Sequence, residues 1–152
     1  MQKKLFVIAV IVGISALFIT AGIYAGTKAP DVIKMENKAY KKHKKGIIMF
    51  SHKKHIDEYK AGCGECHHDD KGKPLNNLKD GDNVQSCIEC HKKPGERPKG
   101  KGAPKLSKKQ RLDYHAEALH YNCKGCHKKF NKKTKTKKAP TTCTKCHPKK
   151  KK

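Results

Sequence analysis

All eight cysteines of this chain lie in four short units of one form, Cys-x-x-Cys-His. In each unit two thiols stand three residues apart, and a histidine directly follows the second thiol. This pattern is the attachment signal for c-type haem, in which both thiols form thioethers to the macrocycle and the imidazole binds its iron. The attachment residues are Cys63, Cys66, Cys87, Cys90, Cys123, Cys126, Cys143 and Cys146. The adjoining iron ligands are His67, His91, His127 and His147. The sequence therefore predicts four covalently bound c-type haems.

Three other uses of paired cysteines explain the units less well. A structural zinc site combines two Cys-x-x-Cys pairs and needs no histidine after them. Eight cysteines can form a disulfide framework, and a single Cys-x-x-Cys can be a redox-active dithiol in a βαβ context. Only haem attachment explains the fifth residue of every unit.

The composition argues against a core made of side chains. Residues 26–152 contain only 14 Leu, Ile, Val and Phe, and the chain has 37 Lys and Arg against 13 Asp and Glu, a net charge of +24. Such chains are normally disordered, because they bury too little apolar area to offset the entropy of ordering the backbone. This excludes an enzyme domain built on an aliphatic core. We expect a small, mostly coil and α-helical fold wrapped around the four haems, which supply the core.

The remaining histidines can complete the iron coordination. Six lie outside the units: His43, His52, His55, His68, His115 and His120. Residues 26–152 contain only two methionines, Met35 and Met49. Four irons therefore cannot all bind methionine, whereas the histidines suffice for all of them. Because methionine ligation raises the reduction potential of haem, ligation by two histidines predicts low-potential haems.

The order of histidines and units resembles the class III multihaem cytochromes c, of the tetrahaem cytochrome c3 type. The resemblance rests on the run FSHKKH at residues 50–55, on His68 directly after the first unit, and on a histidine shortly before the third; it covers residues 32–147. It differs in two respects: many relatives have wider second and fourth units, and the stretch from His91 to Cys123 is here long and rich in Pro, Gly and Lys.

The resemblance also implies an assignment of sixth ligands: His52 for the first haem, His68 for the second and His55 for the third. A histidine upstream of the third unit would serve the fourth haem, and both His115 and His120 are candidates. We favour His120, because relatives commonly carry a histidine three residues before that unit. His43 has no role in the family and is predicted to lie on the surface.

The function implied by the resemblance is electron transfer in the periplasm during anaerobic respiration, without catalytic residues. Hydrogenase or formate dehydrogenase would be donors, and a membrane-bound redox complex the acceptor. The positive charge is expected to steer the protein, as a monomer, towards acidic partners. Nucleic acid is not an expected partner, because the chain has no aromatic stacking platform. The alternative is a multihaem reductase of metal ions, sulfur compounds or nitrite, with one open iron position.

The first 25 residues differ from the rest of the chain. Lys3 and Lys4 precede an apolar run over residues 5–19, as in a secretory signal peptide. An uncleaved anchor is the alternative, because residues 5–25 are long enough to span a bilayer. Residues 26–152 would form the tetrahaem domain, which ends in a lysine-rich tail.

Local patterns predict few regular elements. Short apolar segments at residues 32–35 and 47–50 indicate a two-stranded hairpin. Helices are expected over residues 52–60 and 107–121, and loops over residues 95–104 and 131–140.

Overall fold

The computed structural model describes residues 29–149. The predicted signal peptide or anchor, residues 1–25, lies outside the described residues, as does the end of the lysine-rich tail. Across the described range, no helix has both the length and the apolar character needed to cross a membrane.

The regular elements are short. Strands β1 (Val32–Lys34) and β2 (Met49–Ser51) form an antiparallel pair with Ile33 opposite Phe50. The α-helices are α1 (His52–Asp57), α2 (Cys87–Cys90), α3 (Lys108–Leu112), α4 (His115–Leu119), α5 (Gly125–Lys133) and α6 (Cys143–Cys146). A 3₁₀ turn covers Cys63–Glu65, and a π-helix covers His120–Lys124. This is the predicted fold of short helices with one hairpin.

The hairpin is confirmed with slightly different ends. The amide of Met35 donates to the carbonyl of Ile48 at 2.9 Å, which extends the pairing beyond β1. The second strand runs one residue further than predicted and leads directly into α1. There the amide of Lys53 donates to the carbonyl of Asp31 at 3.1 Å, so the start of α1 is tied to the start of β1.

Helix α1 ends earlier than the sequence predicted. It was expected to reach residue 60, but it stops at Asp57. Lys60 adopts a φ of +53°, in the left-handed region that a continuing right-handed helix does not allow. The prediction was wrong at this end. Lys has a high helix propensity, so the sequence favoured a longer helix, but Lys60 does not adopt the helical conformation.

The predicted single helix over residues 107–121 is also wrong. Ser107 caps α3 by accepting from the amide of Gln110 at 3.3 Å, but α3 ends at Leu112. Tyr114 then forms a parallel bridge with Lys93, and this pairing with a distant segment interrupts the helix.

After that break the helical chain continues well beyond the predicted end. It passes from α4 through the π-helix into α5, which ends at Lys133. Residues 131–133 are therefore helical, and the loop predicted over residues 131–140 was wrong for its first three residues. The loop over residues 95–104 is confirmed, with no helix or strand in it.

Very little of the described chain is buried. Only His115 and Ala118, both on α4, are buried there, with 7% and 8% of their surface exposed. The His115 amide donates to the carbonyl of Lys93 at 2.8 Å. Its Nδ1 atom shares a hydrogen bond of 2.8 Å with the hydroxyl of Tyr40. The small side-chain core thus joins three segments that lie far apart in the sequence.

His43, which was predicted to lie on the surface, is only partly exposed because its ring packs on another aromatic ring. Its ring stacks on that of Tyr40, with centroids 4.8 Å apart and planes within 6°. Both side chains are partly buried. A lysine-rich neighbourhood gives no sign of this contact, since stacking depends on where Tyr40 is held by His115.

Replacement of Tyr40 by phenylalanine should lower the free energy of unfolding by about 1–3 kcal/mol, because Nδ1 of buried His115 would lose its hydrogen-bond partner. Tyr121→Phe is the matched control. It removes a hydroxyl that accepts from the Lys108 ammonium group at an exposed site, so a much smaller change is expected. Denaturant titration of the purified protein measures both. Equal losses in the two variants would contradict a structural role for the Tyr40–His115 contact.

Candidate haem sites

Each Cys-x-x-Cys-His unit forms a turn of helix. In three units the histidine amide donates to the carbonyl of the first cysteine, at 2.8 Å for His67, 2.9 Å for His91 and 2.7 Å for His147. The third unit spans the junction of the π-helix and α5. Residues three apart on a helical turn lie on the same side, so both thiols of a unit are presented together.

The thiols of different units approach one another. Burial and, to a smaller extent, the neighbouring Cys123 and Cys126 raise the pKa of Cys66 to about 11. Burial, followed by Cys87 and Cys146, also raises the pKa of Cys123. The side-chain amide of Asn122 donates to the carbonyl of Cys66 at 3.1 Å and joins the first unit to the third. All eight cysteines fall in the described range, and none is in a disulfide.

Every unit histidine faces one histidine from elsewhere in the chain. The ring centroids are 6.5 Å apart for His52 and His67 and 5.9 Å for His68 and His91. They are 6.2 Å apart for His55 and His127 and 6.3 Å for His120 and His147. We number these as pairs one to four in the order of their unit histidines: 52–67, 68–91, 55–127 and 120–147.

The separation within each pair suits a metal held between two imidazoles. Two metal–nitrogen bonds of about 2 Å, plus about 1 Å from each nitrogen to its ring centre, give about 6 Å between centroids. Rings in direct contact would not need so uniform a spacing at four places. Among the residues that the structure describes, no group of three or more His, Cys, Asp or Glu side chains could hold a metal ion.

Backbone carbonyls fix the orientation of most paired rings. Nδ1 lies 2.6–2.9 Å from a carbonyl oxygen in five of the eight histidines. These are His55, His68, His91, His127 and His147, whose partners are the carbonyls of Ser51, Asp69, Leu112, Pro140 and Gly46. Because a carbonyl only accepts, Nδ1 must carry the hydrogen, and Nε2 keeps a lone pair for a metal.

One of these carbonyls is held by a close backbone contact. Gly46 packs so tightly on Pro148 that a Cβ atom at this position would collide with the Pro148 backbone. The same contact brings the Gly46 carbonyl to 2.9 Å from Nδ1 of His147. Glycine at position 46 therefore allows the orientation of the last unit histidine.

The protonation of His67 also suits a metal ligand. Burial, together with the nearby His52 and His68, lowers its pKa. A histidine must be neutral at the coordinating nitrogen in order to bind a metal, so a lowered pKa favours the binding form at neutral pH.

The π-helix separates two histidines that a regular helix would present together. His120 and His127 are seven residues apart, which is about two turns of an α-helix, so both would lie on one face. The wider π turn between them rotates the second histidine away from the first. His120 faces His147, whereas His127 faces His55. Such π insertions occur frequently at functional sites.

The two candidates for the fourth sixth ligand have different surroundings. His120 lies opposite His147, and its Nδ1 atom is 3.8 Å from a carboxylate oxygen of Glu96. His115 is buried and uses its Nδ1 atom on Tyr40. The structure thus brings the ring of His120, and not that of His115, opposite His147, the histidine of the fourth unit.

Two aromatic residues beside the third pair were not singled out from the sequence. The rings of Phe50 and Tyr59 lie 4.7 Å and 5.3 Å from that of His55. Phe50 is the first residue of the FSHKKH run, and its place beside His52 and His55 was the one sign in the sequence that it could lie at this site. Tyr59 lies beyond the end of α1, in a stretch that was predicted to be helical, so its approach could not be read from periodicity.

Comparison with known proteins identifies the family to which the chain belongs. A family model described as the Class III cytochrome C family matches residues 29–147, well over half of the chain. Members of this family bind c-type haem covalently and generally act in electron transfer. Searches of curated proteins and of solved structures gave no match. On the family match, the chain is a member of the class III cytochrome c family.

Proposed function

We propose that this chain is a periplasmic, low-potential tetrahaem cytochrome c that carries electrons and does not catalyse a reaction of its own. The observation that carries the proposal is the uniform spacing of the four histidine pairs, each of which contains one unit histidine. Family membership supports the electron-carrier role in general, and the pairs support the number of haems.

In this proposal each unit anchors one haem and each pair binds its iron. The attachment residues are Cys63 and Cys66, Cys87 and Cys90, Cys123 and Cys126, and Cys143 and Cys146. Pairs one to four would hold the haem irons: His52 with His67, His68 with His91, His55 with His127, and His120 with His147. When bound, each haem would supply a one-electron couple between ferric and ferrous iron.

The exposure of apolar side chains supports haem as the missing core. Large apolar residues remain accessible in the described range, including Met49 at 60%, Tyr121 at 59% and Phe130 at 46%. A chain this poor in aliphatic residues cannot bury enough surface by itself. Macrocycles attached through two thioethers and two axial bonds would supply apolar area and act as crosslinks, as disulfides do in other small domains.

Two histidines at each iron favour electron transfer over catalysis. Turnover at a haem iron needs an open or displaceable position, and here each unit histidine has a second imidazole opposite it. Imidazole also gives a lower potential than methionine sulfur. The carrier would therefore accept electrons from strong reductants.

The charge of the chain indicates the kind of partner. With 37 basic and 13 acidic side chains, the protein would dock transiently on acidic surfaces, and its field would raise association rates. We propose periplasmic hydrogenase or formate dehydrogenase as donor and a membrane-bound redox complex as acceptor, in anaerobic respiration. Family members are typically periplasmic, which supports this location.

The purified protein should carry four haems, as measured by intact-mass spectrometry after production in a host that attaches c-type haem. The double variant Cys143→Ser, Cys146→Ser should carry three, because a thioether needs the thiol. Lys145→Gln, between the same two cysteines, is the control and should keep four. A wild-type protein with fewer than four haems would contradict the proposal.

Exchange of His120 for methionine should raise one of the four midpoint potentials by on the order of 100 mV. Axial ligands set haem potentials over a total range of about 0.8 V, so a change of this size is expected from one ligand. His115→Met, five residues earlier, should leave all four potentials nearly unchanged, because His115 bonds to Tyr40. Spectroelectrochemical titration of both variants measures this. The opposite result would show that His115 is the ligand.

The rival function, a multihaem reductase with an open iron, makes a different spectroscopic prediction. The ferrous protein should not change its absorption spectrum when carbon monoxide is added at neutral pH, since both axial positions are occupied in a bis-histidine site. A spectral shift that corresponds to one haem in four would favour the reductase.

A further inference from the structure

The only two arginines of the chain, Arg97 and Arg111, line the same cleft. All other basic residues, 35 in number, are lysines. The cleft has a volume of about 550 Å³ and lies between the loop over residues 95–106 and helix α3. Lysines explain a generally cationic surface, but they do not explain why both arginines line one cleft.

The cleft has a net positive lining. Lys99 and Lys105 line it together with the two arginines, and Ala103 and Leu106 add an apolar wall. Two carboxylates lie beside these four cations: Glu117 is 3.7 Å from Nε of Arg97, and Glu96 is 2.8 Å from Nζ of Lys99. Because two acids oppose four bases, the cleft keeps an excess of positive charge.

Local structure fixes the position of Arg111 and shapes the loop that carries Arg97. Ser107 and Gln110 form a capping box that sets the first turn of α3, and the amide of Arg111 donates to the Ser107 carbonyl at 3.0 Å. In the loop, the amide of Ala103 donates to the carbonyl of Gly100 at 3.2 Å. Gly100 has a φ of +107°, which strongly favours glycine.

One donor of Arg97, Nε, has no acceptor within the described part of the protein. This atom is enclosed and makes no hydrogen bond to any group that the structure describes. The nearest carboxylate, that of Glu117, is 3.7 Å away and therefore too far for a hydrogen bond. Because Nε is enclosed, an anion in the cleft would bind at the other nitrogens of this guanidinium group.

We propose that this cleft binds a small oxyanion of the phosphate or sulfate class. Guanidinium groups present their N–H donors in a planar fork that matches two oxygens of such an anion, which an ammonium group cannot do. None of the lining residues is an axial ligand or an attachment cysteine in the proposed haem sites. The proposal therefore does not depend on the proposed function.

Calorimetric titration of the haem-loaded protein with inorganic phosphate tests the proposal, with total ionic strength held constant by chloride. We expect one saturable site for phosphate, with sulfate competing for it. Arg111→Gln should weaken binding at least about tenfold, because a bidentate charge-assisted contact is lost. Arg111→Lys should also weaken it, since the charge remains but the fork does not.

The matched controls remove the same charge nearby. Lys109→Gln lies on the same helix, outside the cleft, and should change the affinity by less than about twofold, as expected for a screened surface charge. Lys101→Gln is the corresponding control for Arg97→Gln in the loop. Visible spectra and haem content show that each variant is assembled as the wild type is.

Two outcomes would overturn the proposal. One is the absence of a saturable site, or equal weakening in the arginine and lysine variants, which would mean that the protein attracts anions only through its overall charge. The other is a changed haem midpoint potential in Arg111→Gln together with no phosphate binding. In that case the arginines neutralise a haem propionate of the same chain and leave no site for a free anion.

Discussion

The spacing of about 6 Å between paired imidazole rings is the constraint on which this fold depends. Each pair joins segments that are distant in the sequence, and α1 contributes to two pairs, through His52 and His55. The adjacent His67 and His68 belong to pairs one and two. A displacement of α1 would therefore disturb pairs one and three, and a displacement of the first unit would disturb pairs one and two. Because so few side chains are buried in the described range, the short elements are connected mainly through these histidine pairs.

Charge makes such crosslinks more necessary. A net charge of +24 on 152 residues opposes a compact state through self-repulsion. The ion pairs of α1, Lys53 with Asp57 and Lys54 with Glu58, are about half exposed and add little stability. Covalent and metal-mediated links do not weaken with salt as exposed ion pairs do. In the proposed holoprotein they would hold the chain together against its own charge.

The sequence predicted the features that are local or that repeat. The four units, the two strand segments and the loop over residues 95–104 are each encoded within a short stretch, and the structure contains all of them. It did not predict features that arise from contact with distant segments. The break at Tyr114 comes from pairing with Lys93, and the stacking of His43 comes from Tyr40. The π turn after His120 leaves no trace in hydrophobic periodicity, yet it decides which way His127 faces.

The comparison of His115 with His120 shows why a ligand cannot be chosen from sequence spacing alone. Both lie upstream of the third unit on one continuous helical stretch, and either could reach an iron on grounds of sequence distance. Their difference is in the surroundings: His115 is buried against Tyr40, and burial together with His91 lowers its pKa. A buried histidine that stays neutral at neutral pH adds no charge to an already cationic chain. Its hydrogen bond to Tyr40 gives His115 a structural role that does not require iron.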